Sequence, residues 1–166
     1  MELEQILYNV QKPTWYSGGE YGAVVKNKKD VNVRFAFCFP DLYEIGMSHL
    51  GIKILYDCLN KVPDIWCERV FMPNDDMEEE MKKNNIPLFA LESKDSIKDF
   101  DFIGFTIQYE MCYSTILEML SLAGVPLLSK DRKQGDPIIV GGGPCTCNPE
   151  PVADFFDLFS IGEGEN

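Results

Sequence analysis

Short, strongly apolar runs that stop abruptly constrain this chain more than any other feature. NVRFAFCF (32–39) halts at Pro40, ERVFMP (68–73) at Asn74, FDFIGFTIQ (100–108) at a polar turn and PIIVGGG (137–143) in three glycines; DLFSIGEGE (157–165) completes the series. Runs this short, rich in β-branched and aromatic residues, are expected of strands buried on both faces, as in parallel sheets. Helical patterns separate them. Over 48–61, Gly51, Leu55, Cys58, Leu59 and Val62 recur at three- and four-residue spacing, with Ser48 placed to cap the start and Pro63 to end it. Asn74 and the acidic stretch 75–80 read as a helix N-terminus favoured by the dipole, with Met77 and Met81 turned inward and Lys82 and Lys83 behind them. Tyr113, Leu117, Leu120 and Gly124 outline a further amphipathic face, and PLFALES (87–93) is an edge strand or a loop. The alternation predicts an α/β three-layer sandwich: a five-stranded, mainly parallel sheet in the order 2-1-3-4-5, with helices on both faces.

Residues 1–31 break this pattern. Pro13, Gly18, Gly19 and Gly22 mix with Trp15 and Tyr16, a composition expected of an N-terminal arm laid over the domain formed by 32–166. At 166 residues and 45% apolar, the chain is long enough for one domain with a substantial core. Fifteen basic residues against 27 acidic ones leave a net charge of −12, which argues against a nucleic-acid or anionic-membrane footprint. No apolar run reaches the roughly 18 residues of a membrane span. The start lacks the order of a signal peptide, so the chain is expected in the cytoplasm with its six cysteines reduced. There is a single histidine, His49, and no C-x-x-C, P-loop or G-x-S-x-G, so a zinc ribbon, a self-contained iron–sulfur site and a nucleophile elbow are disfavoured.

In an open parallel sheet of the flavodoxin-like or Rossmann-like kind, ligands bind beyond the carboxyl ends of the strands. The loop after the first strand, PDLYEIGMSHLG (40–51), gathers Asp41, Glu44, Gly46, Ser48 and His49. Asp41 and Ser48 can satisfy backbone groups there, or the loop as a whole can contact a ligand. Thr106, Gln108, Tyr109 and Glu110 follow the third strand, where hydroxyl and amide groups suit a heterocycle and Glu110 equally suits a helix cap. GGGPCTCNPEP (141–151) follows the fourth; its glycines allow close backbone approach to a ligand or simply a tight turn. Cys145 and Cys147 read as packing thiols, since two thiolates two residues apart complete no common metal site.

The stretches GGEYGAVVK (18–26), FPDLYEIGMSHLGIKILYDCLN (39–60), ERVFMPNDDME (68–78), DFIGFTIQYEMCYSTILEMLSLAGVP (101–126) and GGGPCTCNPEPVADFFDLFSIGEGE (141–165) cover nearly the whole chain. Together they resemble the N-terminal part of the B12-binding-domain-containing radical S-adenosylmethionine (SAM) proteins. The resemblance implies a cobalamin-binding-type domain followed by a radical SAM barrel in the same polypeptide. That barrel would be the partner, and the [4Fe–4S] cluster and SAM would belong to it. Two departures matter. The histidine context is Met47-Ser48-His49-Leu50-Gly51-Ile52 instead of D-x-H-x-x-G, so His49 is not expected to ligate cobalt. C-x-x-x-C-x-x-C is absent, so the chain is expected to be an excised domain without catalytic residues or metal ligands of its own.

On this resemblance a corrinoid would be held by Asp41, Glu44, Gly46, Ser48, Thr106, Gln108, Gly141, Gly142, Gly143 and Pro144. The alternative is an interaction scaffold without corrinoid, with Trp15, Tyr16, Glu20 and Tyr21 as its surface. A flavin on a flavodoxin-like sheet is a third, weaker alternative.

Overall fold

The computed structural model describes residues 3–162. Its centre is a five-stranded sheet in the order β2-β1-β3-β4-β5, with every neighbouring pair parallel. The strands are β1 (Val33–Leu42), β2 (Ile65–Met72), β3 (Phe102–Thr106), β4 (Ile138–Gly142) and β5 (Leu158–Phe159). The helices are α1 (Leu3–Ile6), α2 (Tyr43–Ser48), α3 (Leu50–Lys61), α4 (Asp75–Asn84) and α5 (Tyr113–Leu122), supplemented by 3₁₀ turns. The expected α/β class and strand order are therefore those observed. The fifth run was expected over 157–165; the observed strand is its first part, and 163–165 lie outside the described residues.

Several boundaries differ from expectation. β1 continues through Pro40 to Leu42, because its register with β2 jumps from Phe39↔Phe71 to Leu42↔Met72. This bulge removes Pro40 and Asp41 from the ladder, so the missing proline N–H costs no hydrogen bond. The single helix expected over 48–61 is two helices broken at His49, whose ψ of 118° is extended. Ser48 ends α2, donating its hydroxyl to the Glu44 carbonyl at 2.7 Å, and does not cap α3. Buried residues on α5 are Ile116, Met119 and Leu120, a face rotated from the one outlined by Tyr113 and Leu117. In α4, Met77 and Met81 are the buried pair, as the spacing predicts. Residues 87–93 make one bridge, Phe89↔Ser96, and otherwise form a loop.

The strand order dictates which face each helix occupies. The step from β1 to β2 runs one way across the sheet, whereas β2→β3, β3→β4 and β4→β5 all run the other way. Parallel crossovers are right-handed, so α3 falls on one face and every later connection on the opposite one. The packing follows. Ala36, Cys38, Val70, Ile103, Phe105 and Ile139 are buried on the first face beneath Met77, Met81, Ile116, Met119, Leu120, Val152 and Phe156. Phe37, Phe39, Cys67 and Phe71 are buried on the second against Ile52 and Tyr56 of α3.

The arm, expected to lie over the domain, is part of its core. Ile6, Val10, Trp15 and Tyr16 are buried in the first cluster, and the Trp15 ring stacks on Tyr43. Further along, Val24 donates its N–H to the Tyr56 hydroxyl at 2.7 Å and accepts the Trp66 indole N–H at 3.0 Å. Lys26 closes the C-terminal end of α3, donating to the carbonyls of Asn60 and Val62. The outer edge of β2 is also closed. Asn60 pairs its side-chain amide with both backbone groups of Cys67, and Arg69 exchanges backbone contacts with Leu91 and the Glu92 carboxylate. An exposed strand edge invites pairing with other chains, and these contacts remove that risk.

Two ion-pair groups fasten the edge from either face. Arg69 lies between Glu92 at 2.7 Å and Glu20 at 2.9 Å, and Glu20 also accepts the Tyr43 hydroxyl. Burial and the Glu20 bond push the Tyr43 phenol up to about 12. On the other face Arg34 pairs with the fully buried Glu68 and, at 2.9 Å, with Asp95, which also pairs with Lys28. Burial raises the Glu92 carboxyl, whereas Lys28 and Arg34 outweigh the burial of Asp95 and hold it below the usual carboxylate range.

Candidate functional site

The second face is only half covered. α3 overlies β1 and β2, and beside it a groove of about 930 Å³ runs along β3 and β4. That volume is near the upper end of the range for small-molecule sites. Its floor is Phe35, Gly104 and Val140; its wall is Gly51, Leu55, Cys58, Leu59 and Val62 along α3. These five residues, the last just past the end of α3, are the stripe whose three- and four-residue spacing was read from the sequence. Leu55 and Leu59 pack in part against the core cluster that holds Ile52 and Tyr56, and the rest of the stripe borders the groove.

One end of the groove is polar and lies at the carboxyl ends of the strands. Thr106, Gln108, Gly142, Gly143 and Pro144 meet there, joined by His49, Thr146, Cys147 and Ser160. The Gln108 amide donates to the Thr106 hydroxyl, and among the described residues no donor reaches the Gln108 carbonyl oxygen. At Gly142, among the described residues other than its chain neighbours, no atom lies within 4 Å of where a Cβ would stand, so the strand end opens into the groove. Gly143 has φ of +98°, and a Cβ there would stand 2.9 Å from the Ile107 carbonyl oxygen. Its carbonyl accepts both the N–H and the hydroxyl of Thr146, which starts the following turn. His49 packs on Phe39 with ring centroids 5.4 Å apart, and among the described residues its Nδ1 has no hydrogen-bond partner.

The remaining expected site residues sit elsewhere. Asp41 accepts the Tyr109 hydroxyl at 2.8 Å, a bridge between the loops after β1 and β3 that raises the Tyr109 phenol. Glu44 is exposed and pairs with Lys12 at 2.8 Å, and Ser48 is occupied within α2. Gly46 is buried beneath Phe71, whose ring would stand 2.3 Å from a Cβ, and Gly141 faces the opposite side under Phe159 and Phe156. Cys145 is half-buried, its thiol pushed up by burial, and Cys147 is exposed on the groove lip. The arm surface suggested for a scaffold is largely absent: Trp15 and Tyr16 are buried, Glu20 is ion-paired, and Tyr21 alone of the four is fully exposed. The sequence signal for the groove wall was present as an apolar helix stripe, but nothing marked it as only partly covered.

The family model described as "Radical SAM proteins, N-terminal" matches residues 51–166, from the second residue of α3 through every strand after β1. The chain belongs to this family of radical SAM N-terminal domains. An uncharacterised protein of Methanocaldococcus jannaschii is 32% identical over 133 residues, covering 78% of this chain and 24% of the relative. The radical SAM N-terminal domain thus spans about a quarter of that relative's length. No solved structure matches it. Among its described residues no helix is long and apolar enough to cross a membrane.

Proposed function

We propose that this domain holds a corrinoid at the polar end of the groove and presents it to a radical SAM barrel in the full-length protein. The supporting observation is the opening at Gly142: a strand end with no side chain, beside the Gln108 carbonyl and the Thr106 hydroxyl, in a groove of ligand size. Gln108 and Thr106 would hydrogen-bond amide groups of the ligand, and the backbone at Gly142, Gly143 and Pro144 would approach it closely. A bound corrinoid supplies cobalt-centred chemistry to the neighbouring barrel. His49 borders the same space with an unpartnered nitrogen, but its ring packs on Phe39 and its sequence context does not match the ligand motif. We therefore expect binding without an axial histidine.

Titration with hydroxocobalamin, followed by absorption spectra after desalting, tests this. Gly142→Val should abolish retention and His49→Ala should change it little. Loss of nitrogen superhyperfine splitting from the Co(II) form in His49→Ala would show that His49 ligates cobalt. No retention by the unmutated domain would overturn the corrinoid assignment, and yellow protein would replace it with flavin.

A further inference from the structure

The groove differs from the rest of the molecule in charge. A quarter of the residues in the sequence are Asp, Glu, Lys or Arg, yet among the described residues none of these lines the groove. The cations nearest to it are committed. Lys26, beyond the end of α3, donates to the carbonyls of Asn60, Val62 and Ile65, and Arg132 is held by Asp157 and the Leu127 and Phe155 carbonyls. Lys61 pairs with Asp57, and at about 100° per residue Lys53 stands on the side of α3 opposite Gly51 and Leu55. The sequence after Lys133 contains no Lys, Arg or His, so the loops after β4 and β5 bring none to the polar end. The loops after β1 and β3 carry Asp41 and Glu110 instead, and Lys12 is neutralised by Glu44. The N-terminus of α3 supplies about half an elementary positive charge at that end, against two full negative ones.

An anion entering this groove would leave water without gaining a counter-charge, and phosphate is ordinarily held by Arg or Lys. Neutral groups meet no such penalty: Thr106, Gln108 and Ser160 offer hydrogen bonds, and Phe35, Leu55 and Val140 an apolar surface for a ring. We propose that the groove selects an uncharged, amide-bearing ring system and does not recognise phosphate. Resting on the corrinoid assignment, this means that the corrin ring and its amide side chains are bound while the nucleotide tail, with its phosphate, stays in solvent. The charge argument also ranks riboflavin above its phosphate ester FMN, whose short ribityl chain keeps the phosphate at the groove.

In excess cyanide, cobinamide and cobalamin both carry cyanide on the two cobalt faces and differ only in the nucleotide tail. Equilibrium dialysis of the chain against each should give dissociation constants within about fivefold of one another. Both should stay unchanged as sodium chloride rises from about 0.05 to about 0.5 M, because there is no ion pair to screen. Gly142→Val should weaken the two by the same factor. A preference for dicyanocobalamin above about fivefold would overturn the inference and leave the corrinoid assignment standing; loss of that preference in His49→Ala would identify the imidazole as the phosphate contact. Gly142→Val weakening dicyanocobalamin alone, or neither ligand, would overturn it as well. If neither corrinoid binds, the corrinoid assignment fails and riboflavin against FMN decides. Riboflavin as the tighter ligand sustains the charge selection, whereas FMN equal or tighter, or binding of neither flavin, overturns it.

Discussion

Replacing Gly142 with valine puts a side chain into open space, since among the described residues beyond its chain neighbours nothing lies within 4 Å of the Cβ position. We expect Gly142→Val to keep the wild-type melting temperature while losing hydroxocobalamin affinity by at least about tenfold. The neighbouring substitution should do the reverse. Gly143→Ala forces a φ of +98° on a residue with a Cβ and drives that atom to 2.9 Å from the Ile107 carbonyl oxygen. A loss of about 1–3 kcal/mol, measured by urea unfolding, is expected from that strain. The contrast explains how much of the site was legible from residues alone. Thr106, Gln108, Gly142, Gly143 and Pro144 could be grouped because strand-end loops of a parallel sheet converge. Gly46 and Gly141 could not be separated from them, because each answers to an aromatic ring distant in sequence, Phe71 and Phe159.

β2 owes its place at the sheet edge to charges with little access to solvent. The Glu92 side chain is 1% exposed and Arg69 is its main partner. Arg69→Met should cost about 3–5 kcal/mol by leaving that carboxylate uncompensated, and the double variant Arg69→Met/Glu92→Leu should recover most of it in the same urea assay. The outer pairs set a pH dependence. Asp95 and Glu20 are held below their ordinary values, so their charged forms favour folding. Their contribution is complete above the unfolded carboxylate range, about pH 4, and is lost as pH falls through the folded values. Glu92, raised by burial, works in the opposite sense, so the test is a difference: Asp95→Asn should flatten the fall in urea midpoint between pH 5 and 3, as linkage requires. An unchanged slope would remove Asp95 from the account. Elements themselves were legible where a local rule sufficed, as for Met77 and Met81 on α4. The continuation of β1 past Pro40 was not, because it depends on a bulge set by β2. The α3 stripe was legible as a stripe, but periodicity shows that a helix face is apolar and not whether anything lies against it.

At the scale of the molecule, the strand order alone determines that one sheet face receives α3 and the other receives every later connection. That order could be predicted because alternating strands and helices admit few unknotted, right-handed arrangements. The arm's burial could not, because its Pro- and Gly-rich composition conceals four core side chains among turns. The last strand carries a different consequence. β5 is held by two residue pairs, Val140↔Leu158 and Gly141↔Phe159. Asp157 reinforces it, accepting the Ile139 N–H and an Arg132 N–H, each at 2.7 Å, while Arg132 also grips the Phe155 and Leu127 carbonyls. A mechanical load passed back from polypeptide beyond β5 meets this small joint before the eight-residue β1·β2 ladder. In an optical trap, a pull between the two chain ends should release β5 as an early, separate step, and Asp157→Asn should lower its force; a single all-or-none rip would show that the joint and the sheet yield together.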